Sequence, residues 1–250
     1  MKNHVSACLI IIGNEILSGR TQDKNLAHIA LRLNDVGIQL REVRVIPDIE
    51  ETIVNTINAC RAAHDYVFTT GGIGPTHDDI TSASVAKAFG VPMHRHPDAK
   101  AAMLAMLKPE QVNEARMKMA DVPVGAELIP NAVSTAPGFR MENVYVMAGI
   151  PRIMQAMLEA ILPQLHGGAT VLSLSITTNL PEGTIAQGLT EIQQRYMDID
   201  IGSYPSYQQG GYATTLVLRS PDDARNRAAI AEIEGMIAAC NGLVIDTPNS

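Results

Sequence analysis

The sequence predicts an α/β protein whose first two-thirds build a mostly parallel sheet with helices on both faces, followed by a smaller α+β domain. Three observations lead there. Residues Val5 to Ile12 form a continuous apolar run, the pattern of a strand covered on both sides. Strand and helix patterns then alternate three times in succession, which calls for right-handed crossovers and parallel strands. After the short flexible stretch His166-Gly167-Gly168 the pattern changes to the order βαββαβ, that of a split-βαβ domain. The expected division is residues 1–167 and 168–250.

Each element has its own signal. The first strand stops at Gly13-Asn14-Glu15. From about Asp23, residues Leu26, Ile29, Ala30, Leu33 and Val36 keep helical spacing, and Gly37 ends that helix. Gln39 to Ile46 alternates as a strand. Ile49, Ile53, Ile57 and Cys60 then define a second amphipathic helix, with Asp48 expected as its N-cap and Glu51 as the capping partner. Tyr66 to Thr70 is the third strand, and the helix beyond it runs from about Asp79 to Phe89, closing at Gly90. Residues 97–120 read as a helical insertion of two helices broken at Lys108-Pro109. Its methionines, Met103, Met106, Met117 and Met119, are expected to pack in the core or at a subunit contact. Glu127 to Pro130 and Val144 to Ala148 are expected strands, joined by a loop from Asn131 to Phe139. Pro151 then opens a helix through Ile153, Met154, Met157, Leu158 and Ile161.

In the second domain Thr170 to Thr178 reads as a strand, and Ile185, Leu189, Ile192 and Tyr196 as a helix. Strands near Asp200 to Tyr204 and Tyr212 to Arg219 follow. A helix with Ile230, Ile233, Ile237 and Cys240 and a strand at Leu243 to Asp246 complete it.

Composition narrows the function classes. The 250 residues are 46% hydrophobic and 18% charged, so neither a disordered nor a fibrous chain is expected. A formal net charge of −7 with no basic run argues against nucleic acid as a partner, leaving small nucleotides. No apolar run reaches membrane-spanning length and no signal-peptide pattern precedes the first strand, so the expectation is a cytoplasmic protein with no membrane partner. Cys8, Cys60 and Cys240 lie far apart in apolar stretches, without C-x-x-C spacing, and read as buried, reduced thiols.

Parallel strands bring their carboxyl ends to one edge, so Glu15, Asp48 and the loop Gly71 to Asp79 are expected to meet in one crevice. The Asn131 to Phe139 loop is a second candidate to reach it. The sequence Thr70-Gly71-Gly72-Ile73-Gly74-Pro75-Thr76-His77-Asp78-Asp79-Ile80-Thr81 follows a strand and opens a helix, which suits a phosphate. Adjacent carboxylates would repel that phosphate without a divalent cation between them, so the combination points to phosphate plus metal. The commoner phosphate motifs do not fit. Position 77, where G-x-G-x-x-G needs its third glycine, is histidine, and no G-K-[ST] follows Gly71 or Gly72 at P-loop spacing. No G-x-S-x-G elbow is present.

These residues resemble the signature of the molybdenum cofactor biosynthesis, or molybdopterin-binding, domain family. Gly13-Asn14-Glu15-Ile16-Leu17-Ser18-Gly19, with Asp23 and Asn25, then Ala136-Pro137-Gly138-Phe139 and Gly149-Ile150-Pro151-Arg152 are similar to the CinA branch, competence/damage-inducible protein A. The resemblance implies a three-layer α/β domain of molybdopterin-binding type and a crevice for a pterin phosphate or an adenine nucleotide. In the CinA branch it implies divalent-metal-dependent hydrolysis of a pyrophosphate in ADP-ribose, FAD or a similar dinucleotide. The deamidase domain of longer members is not expected here. Two positions depart from the pattern: Ile153 stands where such chains carry Glu, and Pro181-Glu182-Gly183-Thr184 is a loose counterpart of a Gly/Glu turn.

The resemblance implies Asp79 as a catalytic carboxylate and metal ligand and Asp48 as a catalytic position; on the residues alone, each also suits a helix cap. Asp78 and Glu15 are the further metal candidates. Gly13, Asn14, Glu15, Thr70, Gly71, Gly72, Gly74, Pro75, Thr76, Ser134, Pro137 and Gly138 are the expected ligand contacts. Ser134 and Thr135 suit a phosphate or their own turn equally well, and His77 suits a phosphate or solvent. His94 and His96 share a face if extended but have no third metal ligand in view. The expected cofactor is Mg²⁺, Mn²⁺ or Co²⁺, with molybdopterin as a further candidate, and the family habit is a homodimer or higher homo-oligomer. Holding molybdopterin or an adenine nucleotide without turnover, and adenylyl transfer to molybdopterin, are the competing functions.

Overall fold

Strand β1 (Val5–Ile12) is wholly buried from Ala7 to Ile10 and nearly so to Ile12, because it lies inside a parallel sheet with helices on both faces. The computed structural model describes residues 5–134, 136–208 and 211–246, and divides the chain into two units, Met1–Ala169 and Thr170–Ser250.

In the first unit the chain continues through a single turn α1 (Asn14–Leu17), α2 (Asn25–Asp35), β2 (Ile38–Ile46), α3 (Glu50–Ala63), β3 (Tyr66–Thr70) and α4 (Thr81–Phe89). After β4 (Met93–Arg95) come α5 (Pro97–Met106), a one-turn α6 (Glu114–Met117), β5 (Asp121–Pro123), β6 (Glu127–Ile129), β7 (Gly138–Met141), β8 (Val144–Met147) and α7 (Pro151–Ile161). The main sheet has the order β2-β1-β3-β8-β7-β6. Its β2-β1-β3-β8 pairs are parallel, and β7 runs against both neighbours. Helices α2 and α7 cover one face, packing Ile29, Leu33, Met154 and Leu158 on Leu9, Ile11, Phe68 and Tyr145. Helices α3 and α4 cover the other with Ile53, Ile57, Cys60 and Val85 on Cys8, Ile10, Ile12 and Val67. Each such aliphatic side chain contributes about 1.5–3 kcal/mol by leaving water, so the two layers hold the strand ends in place. The unit is therefore the three-layer, mostly parallel α/β architecture read from the sequence.

Several local expectations differ. Asp48 does not cap α3: that helix begins after Ile49 with no side-chain cap, and the Asp48 carboxylate turns to another strand end. Helix α4 starts at Thr81 because Asp79 is engaged within the preceding loop. The second half of the insertion is broken into α6 and single 3₁₀ turns at Pro109–Gln111 and Lys118–Ala120, since Pro109 and the Asn113 cap restart the chain twice. Met103 and Met117 are buried there, whereas Met106 is exposed. Gly138 and Phe139 belong to β7, not to a loop, and β4 pairs with β5 in a two-stranded ribbon too short to show alternation. Cys8 and Cys60 are fully buried, but Cys240 is only partly so.

The second unit comprises β9 (Leu172–Thr178), α8 (Glu182–Arg195), β10 (Asp200–Gln208), β11 (Gly211–Ser220), α9 (Asp223–Ala239) and β12 (Val244–Asp246). Its antiparallel sheet has the order β10-β11-β9-β12. β11 lies between β9 and β10, and β9 between β11 and β12, which is the split-βαβ arrangement. Ile185, Ile192, Ile230 and Ile233 fill the space between its helices and Leu216 and Leu218 of the sheet. No helix among the described residues is long and apolar enough to cross a membrane.

Candidate functional site

Parallel pairing places the ends of β1, β2, β3 and β8 along one edge of the sheet. At the end of β1 the Gly13 N–H donates to the Ile46 carbonyl at 3.1 Å, and the Asn14 N–H donates to Asp48 Oδ2 at 2.9 Å. Glu15 folds its carboxylate back over Gly13, so closely that a Cβ on Gly13 would collide with Glu15 Oε2. Thus Gly13, Asn14, Glu15 and Asp48 form one patch.

The loop after β3 is fixed at both ends. The Gly71 N–H donates to the Met147 carbonyl at 3.2 Å, and the Thr81 N–H to the Gly72 carbonyl at 2.9 Å. Gly71 (φ 101°) presses so closely on β1 that a Cβ would collide with the Ile12 carbonyl oxygen; at Gly72 (φ 68°) it would collide with Thr81 Oγ1. Among the described residues no backbone group accepts from the N–H of Gly72, Ile73 or Gly74. These are the groups that a phosphate would use.

Thr76, Asp78 and Asp79 form a clasp. Asp79 Oδ2 accepts from the Thr76 N–H at 2.8 Å and lies 2.6 Å from Thr76 Oγ1, which also lies 2.5 Å from Asp78 Oδ1. The Thr76 hydroxyl, then Asp78's own N–H, holds the Asp78 carboxyl below its ordinary value, with His77 and Lys118 adding to the effect. His77 itself is almost fully exposed. Lys118, from the insertion, donates from Nζ to the carbonyls of Thr76 and Asp79 at 3.0 and 2.9 Å. It pins the loop, and nothing in the sequence pattern marked it.

Asn25 is a second residue that the sequence reading left without a role. Its Nδ2 donates to the Gly149 carbonyl at 2.8 Å, and Gly149 stands against the Cα of Gly71. Asn25 Oδ1 and the hydroxyls of Thr70 and Thr81 are buried without a partner among the described residues. Buried polar atoms left unpaired are costly, and these three stand at the ends of adjoining elements, the N-termini of α2 and α4 and the end of β3.

Because β7 is antiparallel, the turn before it reaches the same edge. There Asn131 organises its own turn: Oδ1 accepts from the N–H groups of Val133 and Ser134, and Nδ2 donates to Ser134 Oγ and the Ala136 carbonyl. Ser134 is engaged in that turn; Thr135 lies outside the described residues. Pro137 leads into Gly138, whose Cα packs on β8, where a Cβ would collide with the Val146 carbonyl oxygen. His94 and His96 stack edge to face at 5.5 Å, and His96 Nδ1 caps α5. In the second unit a groove of about 550 Å³ runs past Glu182, Gly183, Gln193 and Ser203, and Ser203 Oγ donates to Glu182.

The glycine cradle and unpaired hydroxyls fit a phosphate. Asp78 and Asp79 stand side by side, but no three of Glu15, Asp48, Asp78 and Asp79 bring ligand atoms together; among the described residues the three-ligand cluster is Cys8, Glu42 and Cys60. Two carboxylates suit a Mg²⁺-like ion that completes its shell with phosphate oxygens and water.

Comparison with known proteins agrees with this layout. Residues 8–167 match the family model described as "Probable molybdopterin binding domain", and residues 170–241 match "FAD synthase, middle domain". A CinA-like protein of Desulfosudis oleivorans is 35% identical over 72% of this chain and 46% of its own length. A Caenorhabditis elegans protein named "Probable FAD synthase" is 28% identical over 95% of this chain and 51% of its own, so the chain spans about half of either relative. A solved structure of CinA from Thermoplasma acidophilum, a protein described as of unknown function, is 34% identical, with a TM-score of 0.61 over 65% of this chain and 99% of that one.

Proposed function

The chain belongs to the family described as a probable molybdopterin binding domain, and from that premise we propose that it hydrolyses the phosphoanhydride bond of an adenine dinucleotide such as ADP-ribose or FAD, with a divalent cation. The clasp of Asp78 and Asp79 on Thr76, set at the end of a glycine cradle, is the observation that carries the reading. The similarity of residues 170–241 to the FAD synthase middle domain supports a dinucleotide as substrate.

In this scheme the N–H groups of Gly72 to Gly74 bind phosphate oxygens, and the Thr70 and Thr81 hydroxyls donate to them. Asp78 and Asp79 would hold Mg²⁺, Mn²⁺ or Co²⁺, whose positive charge would offset that of the phosphate oxygens, with Glu15 outside any three-ligand group with them. Asp48 orients Asn14 and with it Glu15, and Pro75 and Lys118 keep Thr76 and Asp79 in place. Water adds to one phosphorus, the P–O–P bridge breaks, and AMP leaves with the second monophosphate. A binding-only role, for molybdopterin or an adenine nucleotide, is the second reading, favoured by the incomplete convergence of the four carboxylates. Adenylyl transfer to molybdopterin would use the same loop.

Incubation with ADP-ribose or FAD and each cation tests the proposal by AMP release. AMP that appears with the wild type and disappears with Asp79→Asn supports hydrolysis. Tight nucleotide binding without AMP under every cation establishes the second reading instead, and adenylylated pterin formed from ATP would identify transfer.

A further inference from the structure

Away from the crevice, in the middle of β1, two thiols and a carboxylate come together. Cys8 pairs with Glu42 across β1 and β2, after an irregularity that skips Arg41, and Cys60 comes down from α3 onto the same face. The two sulfurs are 3.3 Å apart and both residues are wholly buried. Cys8 Sγ, Cys60 Sγ and a Glu42 carboxylate oxygen all lie within 4.8 Å of one another. We propose that Cys8, Cys60 and Glu42 form a binding site for a thiophilic divalent cation of the Zn²⁺ class, with water in the fourth position.

The donor set and its size fit such an ion. Tetrahedral Zn²⁺ with sulfur bonds of about 2.3 Å separates two thiolates by roughly 3.8 Å, so the pair must part by only about 0.5 Å. Glu42 is already held as a ligand would be: Arg44 Nε donates to Oε1 at 2.7 Å and His64 Nε2 lies 2.9 Å from Oε2. Each oxygen keeps a further lone pair, and hydrogen-bonded carboxylates of this kind are the usual support of a metal centre. His64 Nδ1 is buried without a partner among the described residues. β2 is an edge strand and Glu42 is part-exposed, which gives the ion and its water a path in. The Cys60 thiol is held below its ordinary value, first by the hydrogen bond from Cys8 and then by the Arg44 guanidinium, while Cys8 is pushed up by the same contact and by burial. On binding, each thiol releases its proton to solvent, two metal–sulfur bonds and one metal–oxygen bond form, and Glu42 enters already ionised.

The test is Co²⁺ titration of the reduced, metal-free full chain. The expected result is one equivalent bound, with a near-ultraviolet thiolate-to-cobalt band that one equivalent of Zn²⁺ abolishes. The Cys240→Ser variant keeps the band and the Cys8→Ala/Cys60→Ala double variant loses it. Glu42→Gln, at a part-exposed position, weakens Zn²⁺ binding at least tenfold in calorimetry, with the unfolding transition measured alongside. No band with all thiols confirmed reduced overturns the proposal, as does a band that survives in the double variant. Oxidation of the pair in air to a Cys8–Cys60 disulfide, with the two electrons and two protons passing to dissolved O₂, and no metal uptake after reduction overturns it too. Oxygen ligands of the Asp78–Asp79 loop give no thiolate band, so failure of the hydrolase reading leaves this result independent.

Discussion

The Asn14 backbone N–H donates to Asp48 Oδ2 at 2.9 Å, joining the end of β1 to the end of β2. Removing that acceptor frees the Gly13–Glu15 segment. Asp48→Ala is expected to cost about 1 kcal/mol in stability and to weaken ADP-ribose binding on the order of tenfold. Urea unfolding and calorimetry check the two effects, and a stability loss with unchanged binding would confine Asp48 to the fold.

Asp79 makes a different prediction, because an asparagine amide oxygen at this position could still accept from the Thr76 N–H. Asp79→Asn should leave the unfolding transition nearly unchanged and lower AMP release by roughly 10²- to 10³-fold. Matched losses in activity and melting temperature would mean that the carboxylate is structural.

Two positive-φ glycines of the loop, Gly71 and Gly72, separate stability from binding. In Gly71→Ala the new methyl group meets the backbone oxygen of Ile12, so β1 or β3 must move; about 2–3 kcal/mol and several degrees of Tm are expected to be lost. In Gly72→Ala it meets the Thr81 hydroxyl, a side chain that can turn away. That variant should lose about 1–2 kcal/mol but most of its affinity for nucleotide, measured by calorimetry.

Lys118 reaches the loop from outside the sheet. Lys118→Met keeps the aliphatic stem and deletes both hydrogen bonds to the Thr76 and Asp79 carbonyls. Faster amide exchange across residues 72–79 and a several-fold rise in KM are expected, with the main sheet's protection unaltered. Uniformly faster exchange throughout the first unit would contradict this.

Acid stability should report on α2 and α7. Arg32 donates to both oxygens of Glu159 at 2.8 and 3.0 Å and keeps its carboxyl below the ordinary 4.5. A depressed folded-state value gives stability that is complete above the unfolded value and disappears as pH falls through the folded one. Urea midpoints of the wild type should therefore drop on acidification below 4.5, and Glu159→Gln should show a shallower drop that meets the wild type at the acid end.

The sequence made the parallel strands legible because Val5 to Ile12 and Tyr66 to Thr70 are buried on both faces and leave unbroken apolar runs. The βαββαβ order of the second unit was legible for a related reason: its helices carry an isoleucine stripe and its strands alternate. Shorter pieces were not. β4, β5 and β7 have three or four residues, too few for a period, and Gly138 in β7 looks like loop when only its composition is read. At the site, the strand-end logic pointed to the ends of β1 and β2, which the Asn14–Asp48 contact joins. The direction of the Asp48 side chain was hidden, because a cap and a cross-strand acceptor call for the same residue. Lys118 belongs to no motif, and Asn25, although part of the Gly13–Asn25 motif, gave no sign of its role, since the contacts of both run to backbone carbonyls far along the chain. Cys8 and Cys60 were similarly silent: 52 residues separate them, and only the packing of α3 on β1 brings the sulfurs together.

The reversed course of β7 has an evolutionary consequence. Its preceding turn is anchored by paired strands on both sides, so residues there can be exchanged or inserted at little cost in chain entropy. The Gly71–Thr81 segment has no such latitude, being locked against the β1 backbone. Under the proposed reading, one side of the crevice is therefore free to drift toward new bases or sugars while the other keeps the phosphate cradle fixed, a division of labour by which a single scaffold can change clients without relearning how to hold them.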